Sequence, residues 1–314
     1  GLRVDAMSEA VLAIENVNIT AKLPVVARNA SENYTINFTG VNNLVADGYQ
    51  VVFTTGDDEA AFVAPAEDTL TGAEGFKVFP RDADTYNYVY NAVELQAAID
   101  AGKTSIVLQP GKYENTINLK SGVTIEGLEG AIVNCMNLNG ADNVTLRNIA
   151  FDAAGAQMAY DGKGNARFMA NIMSGGASKN GSGTDGLVVE GCTFTGTFAN
   201  GGTVIAFNDR NRGSGQSGNI TIKGCTFATE GAYVDIYTYY SGKGEFNIEN
   251  NIFNSTLSDK PIYLGKYQSS TPVVVKGNTF AKCADFDAAA YIQAHSGAYT
   301  VSFDEYAEPQ QVEE

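Results

Sequence analysis

Apolar and polar positions along the 314-residue chain recur in one repeated arrangement. Five segments share it: Asn143-Val-Thr-Leu-Arg-Asn-Ile-Ala-Phe151, Gly186-Leu-Val-Val-Glu-Gly-Cys-Thr-Phe194, Asn219-Ile-Thr-Ile-Lys-Gly-Cys-Thr-Phe227, Glu245-Phe-Asn-Ile-Glu-Asn-Asn-Ile-Phe253 and Val273-Val-Val-Lys-Gly-Asn-Thr-Phe280. Val123-Thr-Ile-Glu-Gly-Leu128 is a weaker copy. Each unit reads as an alternating strand, a charged residue, a Gly or Asn, and a second short strand closing on Phe. The closing rings recur at steps of 43, 33, 26 and 27 residues. Alternation puts every second side chain on one face. Gly191, Gly224 and Gly277 share their place with Asn148 and Asn250. Gly and Asn are the residues that accept left-handed backbone angles, so this place is expected to be a sharp bend.

A strand–bend–strand unit of about 26 residues cannot bury its own apolar face, but stacked on its neighbours it can. The predicted fold class is therefore all-β, a right-handed parallel β-helix with about 4.8 Å between coils. Variable spacing follows if insertions fall in loops. The Gly/Ser/Asn-rich stretches 174–186 and 211–218 fit that role. Asn91 to Ala101 reads as a short helix, with Asn91 as cap, Glu94 three residues on and Gly102 closing it.

Residues 95–113, LQAAIDAGKTSIVLQPGKY, resemble the opening segment of the pectate-lyase-like superfamily of right-handed parallel β-helices. In that superfamily a short helix plugs the open end and a P-G-x-Y turn begins the first coil. With the repeats, the resemblance covers about residues 86–300. It implies the fold and an N-terminal capping helix. It leaves function open, because the superfamily includes lyases, hydrolases, esterases, tailspikes and adhesins. The expected division is a small β domain over 1–85 and the β-helix over 86–314. For 1–85, candidate strands are Leu12–Thr20, Tyr34–Thr39, Gln50–Thr54 and Phe76–Phe79. A sandwich is the first reading. The alternative is an extension of the stack, since Leu12-Ala-Ile-Glu-Asn-Val-Asn-Ile19 echoes the later repeat.

Composition narrows the chemistry. The formal charge of −16 argues against nucleic acid, which needs clustered Lys and Arg. No apolar run approaches the roughly 20 residues of a membrane span. His295 is the one histidine, so a multi-histidine metal site is excluded. Cys135, Cys192, Cys225 and Cys283 include no C-x-x-C pair. Cys192 and Cys225 occupy equivalent repeat positions and are expected as stacked thiols rather than a disulfide. Asn251 and Asn278 take the same place in later coils and predict a short asparagine ladder.

A second strand in each coil carries the candidate site. Gly201-Gly-Thr-Val-Ile-Ala-Phe-Asn-Asp-Arg210 aligns over Gly231-Ala-Tyr-Val-Asp-Ile-Tyr-Thr-Tyr-Tyr240. If Val204, Ala206, Val234, Ile236, Ile262 and Leu264 point inward, the other parity faces out. The outward set then holds Arg167, Met169, Asn171, Ile205, Phe207, Asp209, Asp235, Tyr237, Tyr239, Tyr263, Tyr267, Gln293 and His295, flanked by Arg210, Arg212 and Lys266. Flat rings stack on sugar faces, and amides and carboxylates bind hydroxyls, so the partner expected is a polysaccharide or other glycan. The substrate-binding candidates are Phe207, Tyr237, Tyr239, Tyr263, Tyr267, Lys266 and Gln293. Stacked rings on parallel strands also stabilise each other, so a purely structural ladder stands beside the groove reading.

The expected protein is a secreted or cell-surface bacterial carbohydrate-binding, adhesin-like protein. Residues 1–25 show no signal peptide, and the targeting segment is expected to have been removed. The alternatives are a polysaccharide lyase or glycoside hydrolase at the same face, and a structural spacer. The resemblance implies acidic residues holding Ca²⁺ and an Arg or Lys base for a lyase, and an Asp cluster for a hydrolase. Asp209 and Asp235 would then be the acid pair or metal ligands, with Arg210 or Lys266 as base or charge clamp.

Overall fold

The computed structural model describes residues 1–5, 11–28, 35–46, 48–55, 62–63, 70–73, 75–79, 87–138, 140–160, 166–174, 183–208, 217–239, 243–255, 261–265, 273–280 and 301–303. The chain divides into two compact units, Gly1–Ala101 and Gly102–Glu314. Strand is the dominant element of both, and nearly all the strand pairing is parallel.

In the second unit, one sheet stacks Ser105–Leu108, Thr124–Gly127, Thr145–Arg147, Val188–Glu190, Gly218–Lys223, Lys243–Glu249, Val273–Lys276 and Val301–Phe303, in chain order and in parallel. A second sheet branches at Ala131–Asn137. One limb runs through Ala150–Asp152, Thr193–Thr195, Thr226–Phe227, Ile252–Phe253 and Thr279–Phe280. The other runs through Ala166–Met173, Thr197–Asn208, Glu230–Tyr239 and Ile262–Gly265. Among the described residues, the four repeats that begin at Asn143, Gly186, Asn219 and Glu245 each add one strand to each of three parallel stacks, and the repeat at Val273 adds one to two of them. Gln157–Tyr160 departs from this by pairing antiparallel with Ala166–Met173.

The repeat positions take the places their chemistry predicts. Asn148, Gly191, Gly224, Asn250 and Gly277 all have left-handed φ, between 53° and 63°. That bend follows the charged residue in every unit and turns the chain from the first sheet into the second. The closing phenylalanines form one column, Phe151–Phe194–Phe227–Phe253–Phe280, with ring centroids 4.8–5.0 Å apart and planes within 13° of parallel. That spacing is the inter-strand distance of a sheet, so each ring sits one strand above the last.

Two further columns follow from the same register. Glu126, Arg147, Glu190, Lys223, Glu249 and Lys276 pair in succession along the first sheet and alternate in sign. Glu190 bridges its two neighbours, at 3.0 Å from Arg147 Nε and 3.0 Å from Lys223 Nζ. The Lys223 hydrogen bond, with Arg147 adding to it, holds the Glu190 carboxyl below its ordinary range. The expected asparagine ladder is also present. Asn251 Oδ1 accepts the Cys225 N–H at 2.9 Å, and Asn278 Oδ1 accepts the Asn251 N–H at 2.9 Å. Cys192 and Cys225 are free, buried thiols, as their repeat positions predicted. The hydrogen bond to Cys225, reinforced by burial, holds the Cys192 thiol well above the ordinary cysteine range.

The first unit is also built from parallel pairs. Leu2–Asp5, Val25–Arg28 and Val51–Thr54 stack in order. Val11–Glu15, Thr35–Thr39 and Leu70–Thr71 do the same, as do Asn18–Thr20 and Asn43–Val45. Only Phe62–Val63 runs antiparallel to its neighbour among the described strands. The remaining pairing is parallel, as it is in the later repeat. Asn16 has φ 54° and splits the expected strand Leu12–Thr20 in two, as Asn250 does in its own unit. The expected strand Phe76–Phe79 is reduced to a single bridge from Val78 to Val51. The core is Ile14, Val25, Ala27, Ile36, Phe38, Leu44, Val51 and Phe53. A helix spans Ala92–Asp100, where Asn91 Oδ1 accepts the Glu94 N–H and Glu94 Oε2 accepts the Tyr90 N–H, both at 2.9 Å. Among the described residues, no helix is long and apolar enough to cross a membrane.

Candidate functional site

The limb that carries the expected site is organised by one buried row, Ile172–Ile205–Ile236–Ile262, paired strand to strand. The sequence alignment holds as far as Gly202, which pairs with Ala232. There the register slips: Thr203 pairs with Val234 and Ile205 with Ile236. A one-residue slip sends alternate side chains to the opposite face. Thr203, Val204, Ile205, Ala206 and Phe207 are all buried, so both parities are covered here and the expected outward positions Ile205 and Phe207 are enclosed. Phe207 packs edge-on against Phe246 of the first sheet, with centroids 5.9 Å apart. This corrects the outward placement of Phe207: its ring is part of the core.

Asp235 is corrected as well. It shares the parity of Tyr237, yet it is fully buried. Asn171, Val204 and Asp235 each precede a residue of the isoleucine row, and all three are enclosed. Asn171 Nδ2 donates to Asn134 O at 2.8 Å and to Asp152 O at 2.9 Å, tying together the backbone where the second sheet branches. Asp235 Oδ1 accepts from Ser255 Oγ at 2.7 Å, while Oδ2 is buried with no hydrogen-bond partner. Burial pushes the Asp235 carboxyl up to about 7, against the opposing pull of the Ser255 hydrogen bond. An enclosed carboxyl of this kind does not face a substrate.

Tyr237 and Tyr263 lie side by side. They pair directly across Glu230–Tyr239 and Ile262–Gly265, and both are half-buried. Their rings stack with centroids 5.2 Å apart and planes within 7°. Tyr233, on the same strand and of the same parity as Tyr237, is 59% exposed. Its ring lies against Gly201, whose φ is 75°, in space that any Cβ there would occupy. Tyr233 was not among the expected binding residues, although the alternation that singled out Tyr237 and Tyr239 runs through it. Tyr239 pairs with Gly265. Asp209, Arg210, Lys266, Tyr267, Gln293 and His295 lie outside the described residues.

The structure therefore brings Tyr233, Tyr237 and Tyr263 to one limb, removes Phe207 and Asp235 from its surface, and buries a carboxyl beside the tyrosine pair. Among the described residues, no group of three or more His, Cys, Asp or Glu side chains is placed to hold a metal ion. Asp235, enclosed and bonded to a serine, does not fit the Ca²⁺-holding role that a lyase would give it. Comparison with protein-family models, with curated proteins and with solved structures returns no match to this chain.

Proposed function

We propose that the second unit is a right-handed parallel β-helix of pectate-lyase-like architecture, and that the protein is a secreted or cell-surface, adhesin-like binder of glycans. The observation that carries this reading is the stacked, half-exposed pair Tyr237–Tyr263, with the exposed Tyr233 ring laid over Gly201 on the same limb. Rigid aromatic faces with few rotatable bonds offer sugar rings an apolar platform at low entropic cost. The three stacks in chain order and the strand-spaced phenylalanine column support the architecture. The lyase or hydrolase alternative is weaker, because Asp235 is enclosed and offers no carboxylate to a ligand on that limb.

A glycan array that includes acidic polysaccharides, read with and without Ca²⁺ and alongside an assay for new reducing ends or unsaturated products, tests the reading. Binding without products is the expected result. Products would move the protein to the enzyme class. Silence in both assays would leave the tyrosines as a structural ladder.

A further inference from the structure

The Asp235 carboxyl does not belong to the surface site, yet it touches the elements that build that site. Its backbone N–H and that of Ile236 both donate to Pro261 O, at 3.0 and 2.9 Å. Pro261 stands two residues before Tyr263, and Asp235 two before Tyr237. The side chain bonds Ser255, on the chain leading toward Pro261. Asp235 thus clasps the two coils whose tyrosines stack.

The clasp has two hydrogen-bond orders. Ser255 Oγ lies 2.7 Å from Asp235 Oδ1 and 3.1 Å from Thr229 Oγ1, and it accepts the Thr229 N–H at 3.2 Å. With Asp235 ionised, Thr229 O–H donates to Ser255 and Ser255 O–H donates to the carboxylate. With Asp235 protonated, the carboxyl O–H donates to Ser255, and Ser255 O–H donates to Thr229. Only the ionised form leaves a charged oxygen, Oδ2, buried without a donor. A buried charge in that position is relieved by admitting water, which requires the contacts of Asp235 with Ser255 and Pro261 to loosen.

Among the described residues, no cation faces the carboxyl. Its own strand brings Glu230, Tyr233, Tyr237 and Tyr239, and the following strand brings Tyr263. Glu230 is exposed and accepts from Thr197 Oγ1. Strand Thr197–Asn208 carries no titratable side chain, and Thr229 and Ser255 supply hydroxyls. Asp259 and Lys260 lie outside the described residues.

We propose that Asp235 is a proton-operated latch beneath the tyrosine platform: the protonated carboxyl holds the Tyr237 and Tyr263 coils together through Ser255 and Pro261, and ionisation weakens those contacts and loosens the stack. The inference rests on the glycan-platform reading for its purpose, but not for its mechanism. Burial sets the change near neutral pH, since the carboxyl is pushed up to about 7.

Hydrogen exchange of the Asp235 and Ile236 amides, corrected for intrinsic rate and followed from pH 5.5 to 8.5 in the whole chain, tests it. Protection should fall at least tenfold across neutrality in the wild type and stay level in Asp235→Asn. Ser255→Ala, which removes the bond favouring the ionised form, should move the step to higher pH; this variant and the wild type decide the matter if Asp235→Asn does not fold. Level protection in the wild type, or an unmoved step in Ser255→Ala, would overturn the latch. A wild-type step in a protein that binds nothing on the glycan array at pH 6 or pH 8 supports the latch and sinks the glycan reading. The two ideas therefore fail separately.

Discussion

Asn278 completes the backbone of the coil before it: its Oδ1 accepts the Asn251 N–H at 2.9 Å, and its Nδ2 donates to Ile248 O at 2.8 Å. Asn251 does the same for Cys225 and Ile222. In the first unit Asn42 repeats the pattern, accepting from Val17 N at 3.1 Å and donating to Ile14 O at 3.3 Å. In each case donor and acceptor lie three residues apart around the left-handed bend. One side-chain amide satisfies the two backbone groups that the bend removes from the ladder. Asn251→Ala leaves a buried N–H and a buried C=O without partners, at a cost of about 1–3 kcal/mol each. A drop in denaturant midpoint of that order is expected. Asn42→Ala, in a more exposed bend, should cost less. Equal, negligible losses would show that water replaces the amide.

The phenylalanine column predicts a position-dependent cost. Phe194 is fully buried between Phe151 and Phe227, so Phe194→Ala removes two stacked contacts and leaves a cavity. Loss of about 3–5 kcal/mol is expected from equilibrium unfolding. Phe280, at the end of the described column and 8% exposed, should lose less on the same change.

Phe207 and the tyrosine pair separate stability from binding. Phe207→Ala opens the core beside Phe246 and should lower the melting temperature strongly. Tyr237→Ala with Tyr263→Ala removes a half-exposed stack worth about 1 kcal/mol beyond its burial. That double variant should stay folded and lose glycan binding by tenfold or more on the array. Retained binding would remove these rings from the site.

Glu190 and Asp235 oppose each other in their pH dependence. The Glu190 pKa is lowered in the folded state, so its contribution is present above the ordinary value of 4.5 and disappears as pH falls through the folded pKa. Glu190 is exposed and screened, so its bridge is worth under about 1 kcal/mol, and Glu190→Gln should cost no more than that at pH 7. Asp235 is raised from 3.8 to about 7, so its stabilising contribution is full below 3.8 and is lost as pH rises through 7. Urea midpoints between pH 4 and 8 should therefore decline less steeply in Asp235→Asn than in the wild type. A slope unchanged by the substitution would show that other groups set it.

The repeat was legible because each of its positions has a local physical requirement. A left-handed bend admits Gly or Asn, a stacked interior column calls for one ring per coil, and an alternating strand shows which face is buried. The same logic exposed Asn251, Asn278, Cys192 and Cys225 before any coordinates. It succeeded less well on the candidate site. There the assignment of Phe207 depended on carrying the alignment of Gly201–Arg210 over Gly231–Tyr240 past Gly202, and the strands slip by one residue at Thr203. Thr203 to Phe207 are also buried on both faces, so alternation does not separate core from surface there, and no pattern within either strand records it.

By itself, the sequence determined the strand-rich class, the parallel stacking unit, the bend, the phenylalanine column and the asparagine ladder, because these are interactions between equivalent positions of successive repeats. Only the tertiary structure decided that Asp235 is enclosed against Ser255, that Tyr233 lies over Gly201, and that the first unit pairs in parallel. Those outcomes depend on bulges and corners, where residues distant in the repeat pattern meet and alternation no longer dictates which side chain sees water.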